Sequence, residues 1–476
     1  MNIKIKQIFK NLTASVMANG INMVLSILLV LVVPKILGVK EYAYWQLYTF
    51  YTTYIGFFHF GIVDGIYLKY GGKKYDELDK PYFNRQFWIL VIIEICVAAA
   101  LIIGVRFVIA DTDKQFILAM SGLCCVVYLP RVMLQYLLQA TNRIVEFAQN
   151  QILEKVFYAV FITAALVFGV RDYQALILSD LLSKAITLAL LVIICKDFIF
   201  LKLEKLFQGI REAIDNMSIG IKLLLSNIAS MLITGIVRFA IENQWSVEVF
   251  GKLSLTMTAS NLLMVFIGAV SIIVYPILRN VSREKMPQIY ETLRCVLMLL
   301  VLGLLLVYYP AKYLLSVWLP QYAESLRYMA LLFPICVFES KMSMLVTTYL
   351  KALREEKMIM KINITVMALT LILTLIAAYF IGNLTLTIIL LPLLMATRNI
   401  LGEIALMKTL GVKVVKDIIY EVILAVVFIA ASWNIQSFWC MVIYLFAYIV
   451  YVLLKRNDIK AALMQVKVFF VKERVS

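Results

Sequence analysis

Charge is what this chain has least of. Only 16% of its 476 residues are Asp, Glu, Lys or Arg, against 63% hydrophobic. Apolar runs of roughly 17–25 residues recur from end to end. That imbalance excludes a soluble chain, and no amphipathic stretch is long enough to form a separate water-facing domain. Histidine is nearly missing, with His59 alone. The seven cysteines (Cys96, Cys124, Cys125, Cys195, Cys295, Cys336, Cys440) show no C-x-x-C or Cys/His spacing. Neither a disulfide framework nor a metal site is supported, and these thiols read as small apolar fillers. No G-x-x-x-x-G-K-[ST] occurs, so the chain has no ATPase core of its own. Asp111-Thr112-Asp113 has the D-x-D form of metal-dependent sugar transferases. It falls in a short loop expected outside the membrane, away from nucleotides, and reads as a solvated turn. We expect no enzyme and no cofactor, apart from Na⁺ or H⁺ coupling.

What is there is an all-α, polytopic membrane protein of about fourteen spans, centred from Met23 to Phe446. The start, MNIKIKQIFKNLTASV, has basic residues before an apolar run but no small-residue cleavage site. It reads as a retained first helix. The net charge of +16 is not a nucleic-acid signature, because most Lys and Arg sit in alternate loops. Those loops include Lys69 to Arg85, Lys196 to Arg211, Lys351 to Lys361 and the tail from Lys455 to Arg474. The positive-inside bias puts both termini in the cytoplasm.

Charge inside a span costs about 2.5–3.5 kcal/mol on insertion scales, so it marks a cavity or a partner. The basic candidates are Arg131, Lys184, Arg238, Lys341 and Arg398; the acidic ones are Glu94, Asp180, Glu339, Glu403 and Glu421. Lys184 and Glu94 lie nearest mid-span. Lys184 is read as a point charge for an anionic headgroup, with Glu94 and Asp180 as ion-coupling candidates. The plainer alternative is a Lys184–Glu94 or Lys184–Asp180 pair that ties helices together, the second at i, i+4 spacing. Arg131 follows Pro130 and Arg398 follows Pro392 after a turn or so, where proline frees backbone groups. Both are expected to line a cavity, unless Arg131 snorkels to the cytoplasmic surface. His59 and the aromatic run from Tyr42 to Phe60 read mainly as packing and interfacial belt.

The stretch Val33 to Gly72, VPKILGVKEYAYWQLYTFYTTYIGFFHFGIVDGIYLKYGG, forms a tight helical hairpin on this reading. Its "P..LG..EY..W", "G..DG" and "YGG" resemble the start of the polysaccharide (O-antigen type) flippases. These belong to the multidrug/oligosaccharidyl-lipid/polysaccharide (MATE-like) exporter superfamily. GIKLLLSNIASMLITGIVRFAIENQWSVEVFGKLSLTMT and QATNRIVEFAQNQILEKVFYAV are similar to that family's seventh-to-eighth and fourth-to-fifth helix regions. A faint repeat agrees, Glu41-Tyr42-Ala43-Tyr44 echoing Glu248-Val249-Phe250-Gly251. Residues 1–200 then form one six-helix lobe, 201–217 a cytoplasmic linker, 218–410 a second lobe, and 411–476 an added helix pair with a basic tail.

The resemblance implies alternating-access transport of a lipid-linked (polyprenyl-diphosphate) oligosaccharide across a bacterial inner membrane, alongside other polysaccharide-assembly proteins. It also implies that each lobe's first helix lines the cavity. This places Arg238 near the diphosphate, which its planar fork suits. The first span offers Asn19 and Asn22 there but no basic residue. A drug or cation exporter would need a more acidic cavity. A membrane polymerase or ligase would need a larger outer domain.

Overall fold

The computed structural model describes residues 30–260, 283–435 and 437–472, together with positions 20, 27 and 264. Among the described residues there are helices and turns and no strand. Residues 30–36 end the first span. The second is divided into α1 (Val39–Thr53), a 3₁₀ turn (Ile55–His59) and α2 (Ile62–Tyr70). Then come α3 (Lys80–Val108), α4 (Thr112–Ala140), α5 (Ile144–Val167), α6 (Tyr173–Ile194) and α7 (Leu206–Gln244).

Beyond α8 (247–260) lie α9 (Met286–Leu304), α10 (Tyr308–Trp318), α11 (Ile335–Lys341) and α12 (Glu356–Thr374). The chain continues through α13 (Leu384–Leu410), α14 (Val415–Asn434), α15 (Trp439–Leu454) and α16 (Arg456–Lys472). Nine helical stretches among the described residues are long and apolar enough to cross a membrane. A tenth arises if α15 and the start of α16, bent by 68°, count together. The sequence reading of fourteen counts four more: the first and eighth spans lie largely outside the described residues, the second is broken, and α14 (Val415–Asn434) is not among the ten.

Helix ends follow local chemistry. Asp79 accepts from the Tyr82 amide at 3.3 Å, with Pro81 in the first turn of α3. Asp111 accepts from the amides of Asp113 and Lys114 at 2.8 and 3.2 Å. The D-x-D is thus an N-cap, its first carboxylate spent on orphan helix donors. Asn383 caps α13 through the Leu386 amide at 2.9 Å. Gly411 ends that helix at φ +70°, where glycine avoids the Cβ clash.

The chain forms two compact units, Met1–Ile228 and Ala229–Ser476. The stretch expected as a linker, 201–217, is helical from Leu206 onward and continuous with the seventh span. In the first unit α3 packs on α4, α5 on α6, and α4 on α1, α2 and α6. Its core joins Ile62, Ile66, Phe83, Leu90, Leu134 and Leu138. The start of α7 crosses α2 through glycine. A Cβ at Gly65 would lie 2.0 Å from the Asn216 carbonyl oxygen, and one at Gly220 would lie 2.0 Å from that of Gly61. In the second unit α12 packs on α13, α14 on α15, and α9 on α16, around Val237, Leu332, Val366, Leu391 and Leu394.

The outer faces are apolar. Phe107 and Phe380 are each 85% exposed, as lipid-facing side chains are in a multi-pass membrane protein.

Candidate functional site

Within the first unit a polar cavity of about 460 Å³ opens among α1, α4, α5 and α6. α4 supplies Arg131 and Gln135, α5 supplies Gln151, Glu154 and Lys155, and α6 supplies Lys184. Arg131 is buried, and its position is set by its neighbours. Its Nε donates to Asn150 Oδ1 at 3.1 Å, and its Nη2 lies 2.8 Å from Glu154 Oε2. Gln135 donates to the same Asn150 oxygen at 2.9 Å, while Asn150 Nδ2 donates to the Thr187 carbonyl at 2.9 Å. Arg131 therefore does not snorkel to a surface. It is held inside by a polar frame.

Lys184 pairs with Asp180, one turn earlier on α6. Tyr48 on α1 donates to the same Asp180 oxygen at 2.8 Å, so the carboxylate is fixed from two sides. The i, i+4 pair is realised and the Lys184–Glu94 alternative is not. Glu94 is fully buried, and neither of its oxygens has a hydrogen-bond partner among the described residues. Lys155 makes no ion pair among the described residues. The lining thus carries three cations, Arg131, Lys155 and Lys184, against one carboxylate, Glu154.

Sequence reasoning missed several members of this site. Glu154, Lys155 and Asn150 lie where the fifth span begins, so they read as flanking residues. Thr49, Thr52 and Thr53 line the α1 side and were hidden among aromatics. Tyr42, Tyr48 and Phe50 are buried in the unit's packing. His59 accepts from the Gly61 amide at 3.0 Å through Nδ1, with Nε2 3.9 Å from Asp64. The ring thereby closes the sharp turn between the two halves of the second span.

The second unit handles its charges differently. Arg294, Lys341, Glu403 and Glu421 are each 2% exposed or less. Arg294 on α9 meets Glu403 at 2.8 Å and Glu421 at 2.9 Å. Lys341 on α11 meets the same two carboxylates at 2.5 and 2.6 Å. Tyr290 donates to Glu403 at 3.0 Å. Asp417 extends the cluster from Arg294, at 3.2 Å, to Lys455, at 2.7 Å. Two cations against two carboxylates, tying α9, α11, α13 and α14, make a balanced junction.

Arg398 on α13 is engaged on three sides. It donates to Asn363 at 2.9 Å, to Glu339 at 2.9 Å and to Ser230 at 2.8 Å. Glu403, its neighbour in sequence, serves the other cluster. Arg238 on α7 donates to Ser254 at 3.0 Å and lies 5.3 Å from the Phe250 ring centre. The cations nominated from sequence therefore divide. Arg131 and Lys184 share one cavity, while Arg238 and Arg398 occupy separate places in the other unit. Asn19 and Asn22 lie outside the described residues.

No family model and no curated protein matches the chain. Among solved structures, the lipid II flippase MurJ in an inward closed conformation is similar at a TM-score of 0.65 and 10% identity. That likeness covers 94% of this chain and 99% of that one. A MATE family multidrug resistance transporter of the MOP superfamily is similar in its inward-facing form at 0.55 and 11% identity, covering 88% and 100%. An outward-facing structure so described gives 0.51 and 11%, covering 84% and 96%. The fold is the one shared by MurJ and the MATE transporters.

Proposed function

We propose that this protein is a membrane transporter of the flippase type. Its cargo is a polyprenyl-diphosphate-linked oligosaccharide, carried across a bacterial inner membrane by alternating access. The product would serve O-antigen, capsule or exopolysaccharide assembly, with other proteins of that assembly as partners. The observation that carries the reading is the cation-rich cavity of the first unit. An anionic diphosphate can draw there on Lys155, which makes no ion pair among the described residues, beside Arg131 and Lys184. An organic cation, the cargo of a drug exporter, meets Glu154 and Asp180, both already paired. The likeness to a protein named as a lipid II flippase agrees with it. Both termini lie in the cytoplasm on this proposal, and Na⁺ or H⁺ coupling falls to Glu94 or Asp180.

The test is headgroup access in proteoliposomes containing a short fluorescent polyprenyl-diphosphate oligosaccharide. Protein-dependent exposure to an outside glycosidase is expected, reduced at least tenfold in Lys184→Ala and Lys155→Ala. Lengthened glycans without exposure would instead indicate a polymerase. No exposure of any kind would overturn the reading.

A further inference from the structure

α1 brings three threonines to the cavity, Thr49, Thr52 and Thr53. Their i, i+3, i+4 spacing puts the hydroxyls on one face of the helix. Each hydroxyl proton is already committed inside the helix. Thr49 donates to the Trp45 carbonyl at 3.0 Å, and Thr52 and Thr53 donate to the Thr49 carbonyl at 3.1 and 2.9 Å. A hydroxyl has one proton and two acceptor lone pairs. With the proton turned inward, these groups offer the cavity acceptor capacity alone.

The rest of the lining offers much of the reverse chemistry. Ammonium and guanidinium groups are donors only, and Lys155, Lys184 and Arg131 line the α4, α5 and α6 sides. A ligand that satisfies both sides needs an anionic acceptor at one end and several O–H or N–H donors at the other. Inorganic phosphate suits the cations, and a free sugar suits the threonines. A phosphorylated sugar does both within one cavity of about 460 Å³.

Resting on the transport reading above, we infer that Thr49, Thr52 and Thr53 are specificity-determining residues. They select a glycosyl phosphate by accepting hydrogen bonds from the hydroxyl or amide protons of the sugar beside the phosphate. Valine at these positions keeps the branched shape and removes the acceptors. Serine keeps the acceptors.

The test titrates full-length protein in lipid nanodiscs with glucose 1-phosphate, N-acetylglucosamine 1-phosphate and inorganic phosphate. At least one glycosyl phosphate is expected to bind about tenfold tighter than inorganic phosphate or more, as two modest hydrogen bonds give. T52V/T53V brings that ratio close to one and leaves phosphate affinity unchanged, while T52S/T53S retains the ratio. Equal binding of all three ligands by the unmodified protein overturns the inference. So does a full ratio in T52V/T53V, or equal weakening of every ligand, which marks a structural role. The two readings fail separately. Glycan translocation with a threonine-independent ratio removes this inference alone, and a threonine-dependent ratio without translocation removes the transport reading alone.

Discussion

Replacing Lys341 by methionine puts the buried junction of the second unit to a quantitative test. In the intact unit Lys341 touches Glu403 and Glu421 at 2.5 and 2.6 Å, and Arg294 balances the second negative charge. Methionine fills similar space but removes two charge-assisted bonds and leaves one buried negative charge without a counterpart. Removing one partner of a buried pair costs about 3–5 kcal/mol. For a folding unit of this size, each kcal/mol lowers Tm by about 2–4 °C, so a drop of roughly 10 °C is expected.

A thiol-reactive dye in detergent reads this once the other six cysteines are replaced by alanine, because Cys336 is 2% exposed and lies on α11 with Lys341. All variants are heated at one rate, since such unfolding is commonly irreversible. The control is Lys341→Met with Glu421→Gln, which removes one charge of each sign and leaves Arg294 facing Glu403. If charge balance holds the junction, the double variant regains at least half of the loss. A double variant as damaged as the sum of the two singles would refute that reasoning. Unchanged stability in Lys341→Met would also refute it.

Four further substitutions separate other forces. Arg398→Lys keeps the charge but cannot reach Asn363, Glu339 and Ser230 together; thermal unfolding should show a loss of about 2–3 kcal/mol. Gly65→Ala forces a Cβ to within 2.0 Å of the Asn216 backbone oxygen; loss of the monodisperse peak in size-exclusion chromatography is expected. Gly104→Ala, within α3 and with no described atom within 4 Å of its new methyl, should stabilise by about 0.5–1 kcal/mol in the same thermal assay. Asp79→Ala removes the cap on the Tyr82 amide and should cost about 1 kcal/mol.

The spans were legible because a bilayer demands some twenty apolar residues in a row, a length no other constraint produces so regularly. The charges within them were legible by rarity. Their partners were not. Lys341 and Glu421 are 80 positions apart and Arg294 and Glu421 are 127 apart, and nothing local records such pairings. Lys184–Asp180 was readable only because helix geometry fixes i, i+4 neighbours. Arg294 escaped notice because it lies near the start of its span, where cations usually reach water. The threonines of α1 escaped for another reason: a hydroxyl that can bond to its own helix carries no sign of a second duty.

These cases alter how intramembrane charge is read. Arg131 and Lys184 line one cavity, where cations outnumber carboxylates. Lys341, Glu403 and Glu421 are placed otherwise, their charges cancelling against Arg294 in a buried cluster. A balanced cluster has little left to offer a ligand, because every charge already has an opposite within hydrogen-bond distance. An excess of one sign beside open volume retains attraction for an ion of the other. The distinguishing property is therefore the local sum of charge around a cavity, which one sequence reveals only where both partners lie on the same helix.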